Sequence, residues 1–354
     1  MNKRMLIGLI FVVLMASAVF AQSDDRDVPV AITAENGAGL ALSDTLTGHT
    51  MAISALAFHP QHADVIVSAS RDLSLRITDI ARGEVYLEAY PHNAVIYGLA
   101  FAPDGESLFT GSWDRTVKRY RVLEGYQLDE LPAFVGFSHI VDHVQFSADG
   151  AWVGFGVGDG SVHILNTGDY DVRKIFLLEG LIVSDFAFFP TDDDDQALFA
   201  VALGFPENSL LLGNFADEAL FPVDHGHANG ITGLAIYPNG QGWLLFTAGD
   251  DGMLEIRRVT FEAGWQISPH TTQITPEQEV WFTALTVNPA GDVLAAGTQE
   301  GWVYVYDISE PEQPVLLAVL TDSENYPIGT LTFSADGTRL AGGGEAGQIF
   351  IWQP

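Results

Sequence analysis

The sequence predicts an all-β protein, a seven-bladed β-propeller built of four-stranded antiparallel blades. One phrase occurs seven times: apolar residues, an aromatic or aliphatic residue, a small residue or proline, then a polar turn. Its copies begin at steps of 42 to 51 residues, at Leu56, Leu99, Val144, Phe186, Leu234, Leu285 and Leu331. Self-similarity at this period, with strand-like alternation, is typical of propeller blades.

Each copy of the phrase is followed by two further strand-like runs. The second run reads "SLFTGS" or "WLLFTAG", and after a short polar turn the third reads "TVKRYRV" or "GWVYVYDI". Alternation with a period of two and many β-branched or aromatic residues predict strands. The strand register is least distinct in blade four, around "ALFAVALGFPENSLLLGNFA".

The two ends of the chain each carry an incomplete blade. The C-terminal "GQIFIWQP" supplies a third strand with no fourth after it, whereas the segment from Gly39 to Thr47 reads as a fourth strand with no three before it. An unpaired apolar edge strand is an aggregation hazard, which pairing removes. We therefore expect Gly39–Thr47 to pair with the C-terminal strand and to close the ring.

Residues 1–21 have the three-part layout of a secretory signal peptide. Lys3 and Arg4 precede an unbroken apolar run, and small residues lead to Ala21. We expect cleavage after Ala21, because the run is shorter than the ~20 apolar residues that a membrane-spanning helix needs. An uncleaved membrane anchor is the alternative.

Cleavage would leave a short N-terminal extension, residues 22–31, and a single propeller domain, residues 32–354. The mature protein would be extracytoplasmic: periplasmic, on the cell surface or secreted. The chain has no cysteine, which excludes disulfides, thiolate metal sites and a thiol nucleophile. Its formal net charge of −31 opposes binding to nucleic acid or to anionic lipid.

Several short motifs resemble the WD-repeat family. Gly48-His49 and Gly226-His227 look like its Gly-His pair, and Tyr306-Asp307 and Trp352-Gln353 look like its Trp-Asp ending. The resemblance covers roughly Ile32 to Pro354. An acid recurs in the turn between the second and third strands, at Asp72, Asp114, Asp159 and Asp251, with Glu300 as a substitute.

The resemblance implies a buried chain of His, Ser or Thr, and the turn acid within a blade. The matching residues are His49, Ser68 and Asp72; His92, Thr110 and Asp114; and His227, Thr247 and Asp251, with His139 and Asp159 as weaker candidates in blade three. Such chains satisfy buried polar groups. Because they repeat, we interpret them as structural rather than as a nucleophilic triad.

The resemblance also implies partner binding on the face that carries the turns between strands two and three. The candidate residues on this face are Arg71, Tyr97, Trp113, Asp142, Asp250, Trp281, Gln299 and Glu345. Arg71, Tyr97 and Trp113 would form an aromatic patch, and aromatic side chains and arginine carry most interface energy. We expect Asp142, Asp250 and Glu345 to form an acidic rim on the opposite side, either solvated or binding a cation.

Two classes of function remain open. One is a non-catalytic, exported, monomeric scaffold of the WD40-repeat type that binds a protein or peptide without a cofactor. The alternative is an exported propeller hydrolase or lactonase-like enzyme with a metal at the channel mouth, although the histidines show no metal-ligand spacing. The acidic run "TDDDDQ" at 191–196 lacks the spacing of a calcium loop and predicts an exposed hairpin.

Overall fold

The strands of the computed structural model form seven four-stranded antiparallel sheets, as the sequence predicts. The structure describes residues 29–170, 173–178, 181–191, 197–204, 209–216, 219–323 and 325–354. Among these, the only helical turns are two 3-10 segments, Gly37–Gly39 and Glu124–Tyr126. None of the helical segments in the described ranges has the length and apolar character needed to cross a membrane.

The strands of each blade are given from the innermost to the outermost. Blade one contains β2 (Ile53–His59), β3 (His62–Ser70), β4 (Leu75–Asp79) and β5 (Glu84–Ala89). Blade two contains β6 (Ile96–Phe101), β7 (Ser107–Ser112), β8 (Val117–Val122) and β9 (Leu128–Phe134). Blade three contains β10 (Val141–Phe146), β11 (Trp152–Val157), β12 (Ser161–Asn166) and β13 (Arg173–Leu177).

The second half of the ring repeats this order. Blade four contains β14 (Val183–Phe188), β15 (Leu198–Leu203), β16 (Leu210–Asn214) and β17 (Ala219–Val223). Blade five contains β18 (Ile231–Pro238), β19 (Trp243–Gly249), β20 (Leu254–Phe261) and β21 (Trp265–Ile274). Blade six contains β22 (Phe282–Val287), β23 (Val293–Thr298), β24 (Val303–Asp307) and β25 (Val315–Leu320).

Blade seven is assembled from both ends of the chain, which confirms the predicted ring closure. It contains β26 (Ile328–Phe333), β27 (Leu340–Gly344), β28 (Ile349–Gln353) and, outermost, β1 (Ala41–Leu46). β1 pairs antiparallel with β28, so that Ala41 faces Gln353 and Leu46 faces Ile349. This pairing protects the edge of the C-terminal strand, whose Trp352 is buried.

The segment before β1 joins blades six and seven at their turns between the first and second strands. The Ile32 amide donates to the carbonyl of Gly337 in blade seven at 2.7 Å, and its own carbonyl accepts from Asn288 of blade six at 2.9 Å. The Ile32 side chain is fully buried in the cluster between those blades. Burial of a side chain of this size contributes about 1.5–3 kcal/mol, so the segment reinforces the seam beside the ring closure.

The hydrophobic core lies in the seams between neighbouring blades. In one seam, Val67 and Ile77 of blade one contact Leu99, Phe101 and Leu108 of blade two. Period-two alternation explains this arrangement, because the apolar residues of each strand face the adjacent blade. Each blade therefore depends on its two neighbours.

Polar chains are buried within blades one, two and five. His49 Nε2 lies 2.8 Å from Ser68 Oγ, and its Nδ1 lies 3.3 Å from Asp72 Oδ2. Burial lowers the pKa of His49, despite the nearby carboxylate. Burial alone would raise the pKa of Asp72, but hydrogen bonds from Ser74 and the Thr50 amide outweigh it and lower the pKa to about 2.

The chains of blades two and five have the same geometry. His92 lies 2.7 Å from Thr110 Oγ1 and 2.8 Å from Asp114 Oδ2. The corresponding distances are 2.7 and 3.1 Å in the third chain, which is formed by His227, Thr247 and Asp251. All three chains therefore join the entry of the innermost strand to the turn between strands two and three.

Blade three corrects the interpretation of His139, which is exposed and therefore lies outside any buried chain. The buried histidines of the three complete chains stand four residues before their innermost strands, and the equivalent residue in blade three is Phe137, which is buried. Asp159 still holds the turn, because it accepts hydrogen bonds from Ser138 and from Ser161. Ser161 in turn contacts the buried ring of His163 at 2.8 Å.

Two predicted segments fall outside the described residues. They are the signal segment, residues 1–21, and residues 192–196 of the acidic run at 191–196.

Candidate partner-binding surface

A bulge at the same position of every innermost strand places seven equivalent residues at the central channel. The register shifts around the second residue of each strand, at Ser54, Tyr97, Asp142, Ser184, Thr232, Thr283 and Gly329. Bulges reorient side chains and are frequent next to functional sites. Each of these residues stands two positions before the start of one copy of the repeated phrase.

Four of the bulged residues link their blade to the next one. The hydroxyls of Ser54, Ser184, Thr232 and Thr283 each donate to the carbonyl of the first residue of the following innermost strand, over 2.5 to 2.8 Å. Tyr97, Asp142 and Gly329 depart from this rule. These three residues belong to blades two, three and seven. Blades two and seven flank blade one, and blade three follows blade two.

A second set of seven residues lies on the face above. The residue before each turn acid, or its equivalent, donates its amide to the carbonyl that precedes the innermost strand of the same blade. These residues are Arg71, Trp113, Gly158, Gly204, Asp250, Gln299 and Glu345, with N–O distances of 2.9 to 3.2 Å. The repeated bond places all seven on one face, at the mouth of the channel.

Five side chains from the two sets form one continuous array, named here the mouth array: Glu345, Arg71, Tyr97, Trp113 and Asp142. Arg71 lies 3.8 Å from Glu345 and donates from Nε to the Tyr97 hydroxyl at 3.1 Å. The rings of Tyr97 and Trp113 stack with centroids 5.0 Å apart and planes 16° apart. Trp113 Nε1 donates to Asp142 Oδ1 at 2.9 Å.

The mouth array corrects the prediction that Asp142 and Glu345 belong to an acidic rim opposite the aromatic patch. Ring closure places blade seven beside blade one, which brings Glu345 to Arg71. The bulge in β10 turns Asp142 toward Trp113. Of the three predicted rim acids, only Asp250 stands apart, in blade five.

The remaining predicted residues lie further round the same face. Trp281 and Gln299 are neighbours in blade six, because the Gln299 amide donates to the Trp281 carbonyl at 2.9 Å. The Trp281 side chain is 55% exposed. Burial, followed by the charge of Asp251, raises the pKa of Asp250. Within the described residues, Asp250 Oδ1 is buried without a hydrogen-bond partner.

Exposed apolar side chains also stand on this face, at positions around the ring. They stand in the connections that lead from the outermost strand of one blade to the innermost strand of the next, at Met51, Tyr90, Val135, Ile182, Trp281 and Tyr326. Trp113 itself is 44% exposed. Apolar exposure concentrated on one face is typical of an interaction surface.

A polar pair that the sequence pattern did not predict lies in the channel, whose volume is about 740 Å³. His143 Nδ1 lies 3.8 Å from Asp185 Oδ1, and Asp185 also accepts the amides of Phe186 and Leu234 at 2.7 Å each. Burial raises the pKa of Asp185. The repeat contained a usable signal, since the residue after the bulge is small in most other blades, as at Gly98.

No three histidine or acidic side chains lie together as metal ligands within the described ranges. His59 and His62 are close, with ring centroids 4.7 Å apart, but they lie at the turn between β2 and β3, on the face opposite the mouth array.

Comparison with known proteins identifies the repeat. The family model described as "WD domain, G-beta repeat" matches residues 41–79, 85–121, 221–256 and 315–353. Four stretches of this seven-bladed propeller are therefore WD40 repeats. Each matched stretch contains the outermost strand of one blade and three strands of the next, so consecutive repeats interlock around the ring of this WD40 propeller.

Two relatives align with almost the whole chain. The small ribosomal subunit protein RACK1 of Candida albicans is 25% identical over 324 residues, which cover 89% of this chain and 96% of the relative. The guanine nucleotide-binding protein subunit beta of Oryza sativa subsp. japonica is 23% identical over 333 residues, which cover 90% of this chain and 84% of the relative.

A third relative has a higher sequence identity over a shorter stretch. Human coronin-7 is 44% identical over 80 residues, which are 23% of this chain and 9% of coronin-7. Through this stretch, the chain covers less than a tenth of the length of coronin-7. The match concerns the repeat alone.

Proposed function

We propose that this WD40 propeller is a non-catalytic, exported scaffold that binds a protein or peptide at the mouth array. The observation that carries the proposal is the continuous chain of side chains from Glu345 to Asp142, which spans four blades at the channel mouth. Arginine, tyrosine and tryptophan are the residue types most enriched among interface hot spots.

The mouth array is ordered before a partner arrives. Its aromatic stack and hydrogen bonds fix Tyr97 and Trp113 in one arrangement. Binding then loses little side-chain entropy, which otherwise costs about 0.5–1.5 kcal/mol for each immobilised side chain. The exposed apolar residues around the array supply contact area, and the net charge of −31 keeps the rest of the surface solvated.

The relatives agree with a role as a component of larger assemblies. Of the two that align along almost their whole length, one is named a ribosomal subunit protein and the other a subunit of a guanine nucleotide-binding protein. A propeller that presents a rigid face to other chains suits such a role.

Capture of partners from an extract of the source organism tests the site. Replacement of Tyr97 and Trp113 together by alanine should weaken capture of the wild-type partner by at least ~2 kcal/mol, about thirtyfold. The matched control replaces Val85 and Phe221, which are exposed on outermost strands, and should capture normally. Undiminished capture by the folded double variant would place the site elsewhere.

Export is part of the proposal and rests on the layout of residues 1–21. Expression of the full chain in a host with a secretion pathway should yield a mature protein that begins after Ala21. The mass of the protein recovered outside the cytoplasm measures this. Recovery of the intact chain only from the cytoplasm would contradict export.

A further inference from the structure

From blade two to blade four, the channel wall carries larger, polar or aromatic side chains than in the other blades. The residue after the bulge is small or short in five blades, at Ala55, Gly98, Gly233, Ala284 and Thr330. In blades three and four, His143 and Asp185 take this position. This arc of the channel, from blade two to blade four, also contains Tyr97 and Asp142, two bulged residues without the hydroxyl bond to the next blade. Two independent breaks in the repeat therefore fall on one part of the channel.

Two carboxylates in this arc lack a permanent cationic partner. Asp142 accepts the Trp113 indole N–H, and Asp185 accepts two backbone amides and stands 3.8 Å from His143. Within the described residues, neither forms an ion pair with lysine or arginine. Burial raises the pKa of both Asp142 and Asp185. A carboxylate removed from water gains most from a cation placed beside it.

The wall next to these carboxylates is aromatic. Tyr97 and Trp113 stack on one another, and Trp113 is 44% exposed. Aromatic rings attract cations as carboxylates do, and the guanidinium of arginine also stacks on them. The array's own cation, Arg71, lies at the other end, between Tyr97 and Glu345. The end formed by Trp113, Asp142 and Asp185 is therefore negative and open to the channel.

We propose that the partner is a basic peptide segment that inserts an arginine or lysine side chain into the channel mouth, between the Tyr97–Trp113 stack and the carboxylates of Asp142 and Asp185. This inference rests on the proposed function and specifies the chemistry of its partner. The channel, of about 740 Å³, has room for a long side chain.

A random heptapeptide library displayed on phage tests the inference. Peptides selected on the wild-type protein should contain arginine and lysine at least threefold more often than the unselected library. Selection on Asp142→Asn/Asp185→Asn should lose this enrichment, and the wild-type peptides should bind the variant at least tenfold more weakly. The single variant Asp142→Asn, which leaves the channel interior intact, should show a smaller loss if the double variant fails to fold.

A matched control is needed because the negative net charge of the protein attracts basic peptides to the whole surface. Glu106→Gln/Asp129→Asn removes two charges from exposed residues away from the mouth array. This control should keep both the enrichment and the affinity. Equal losses in the two double variants would overturn the inference, since the attraction would then be non-specific.

The same peptides separate this inference from the proposed function. Binding that survives the Asn variants but is lost on Tyr97→Ala/Trp113→Ala would refute a cationic insertion and keep the mouth array. Binding that ignores the aromatic substitutions would refute the site itself. Selection of peptides without basic residues, or of none, would also count against the inference.

Discussion

Blade two and blade four have the same four-stranded architecture but are stabilised differently. In blade two, Thr110 stands opposite Leu99 and belongs to the buried polar chain with His92 and Asp114. In blade four, the equivalent residue opposite Phe186 is Val201. Two chemically different interiors therefore give one backbone arrangement, which shows that strand alternation and turns, rather than the polar chain, specify the blade.

The polar chain of blade two stabilises the turn between its second and third strands. Asp114 accepts the Thr116 amide at 3.1 Å and the Asn93 amide at 3.2 Å, across a turn in which Arg115 has a φ of 68°. A side chain in the left-handed region costs about 1–2 kcal/mol, so these hydrogen bonds offset local strain. The equivalent residue in blade three is Gly160, with a φ of 84°, for which the cost is small.

The interior of blade four is packed with aromatic rings. Phe199 is fully buried, with ring centroids 4.9 Å from Phe176 and 5.6 Å from Phe186. Aromatic pairs contribute about 0.5–1.5 kcal/mol beyond their buried area.

The largest expected effect is in blade four. Phe199→Ala should lower the free energy of unfolding by about 3–5 kcal/mol, because it opens a cavity among the phenylalanines. Urea denaturation measures this loss. Phe221→Ala, on the outermost strand of the same blade and 40% exposed, should cost less than about 1 kcal/mol. Similar costs for the two substitutions would show that the aromatic cluster does not stabilise blade four.

A reciprocal exchange should have an intermediate effect. Thr110→Val removes the partner of His92 Nε2, and Val201→Thr buries a hydroxyl in an apolar interior. Each should cost about 1–3 kcal/mol, although the volumes hardly change. Val315→Thr, at a residue that is 56% exposed, serves as the control and should be within about 0.5 kcal/mol of wild type. A neutral Thr110→Val would show that the polar chain contributes nothing to stability.

The repeat allowed the fold to be predicted because period-two alternation and turn residues are local features. Ring closure followed from the same alternation, since β1 supplies the fourth strand of a blade whose other three strands lie at the C-terminus. The pairing of Glu345 with Arg71 was harder to predict from the sequence, because it depends on the contact between the first and last blades. His139 does not belong to a buried chain, because the position four residues before the innermost strand of blade three is occupied by Phe137.

The smallest expected effect is a change in the titration of one histidine. Burial lowers the pKa of His92 below the ordinary 6.5, and this outweighs the opposite influence of Asp114. The unfolded chain therefore binds a proton at His92 at a higher pH than the folded chain does. Unfolding takes up protons between the two pKa values, so the contribution of His92 to stability falls as the pH drops below about 6.5.

NMR of the imidazole C–H groups measures the His92 pKa in the folded protein. We expect a value below 6.5 in wild type and a lower one in Asp114→Asn, because the substitution removes the carboxylate that favours the imidazolium. No such chain occurs in the described part of blade four, and Val201→Thr should leave the titration of His92 unchanged. In urea denaturation at pH 7.5 and 5.5, His92→Gln should lose less stability on acidification than wild type. A His92 pKa above 6.5 would instead show that the ion pair with Asp114 outweighs burial, and the folded blade would then gain stability as the pH falls.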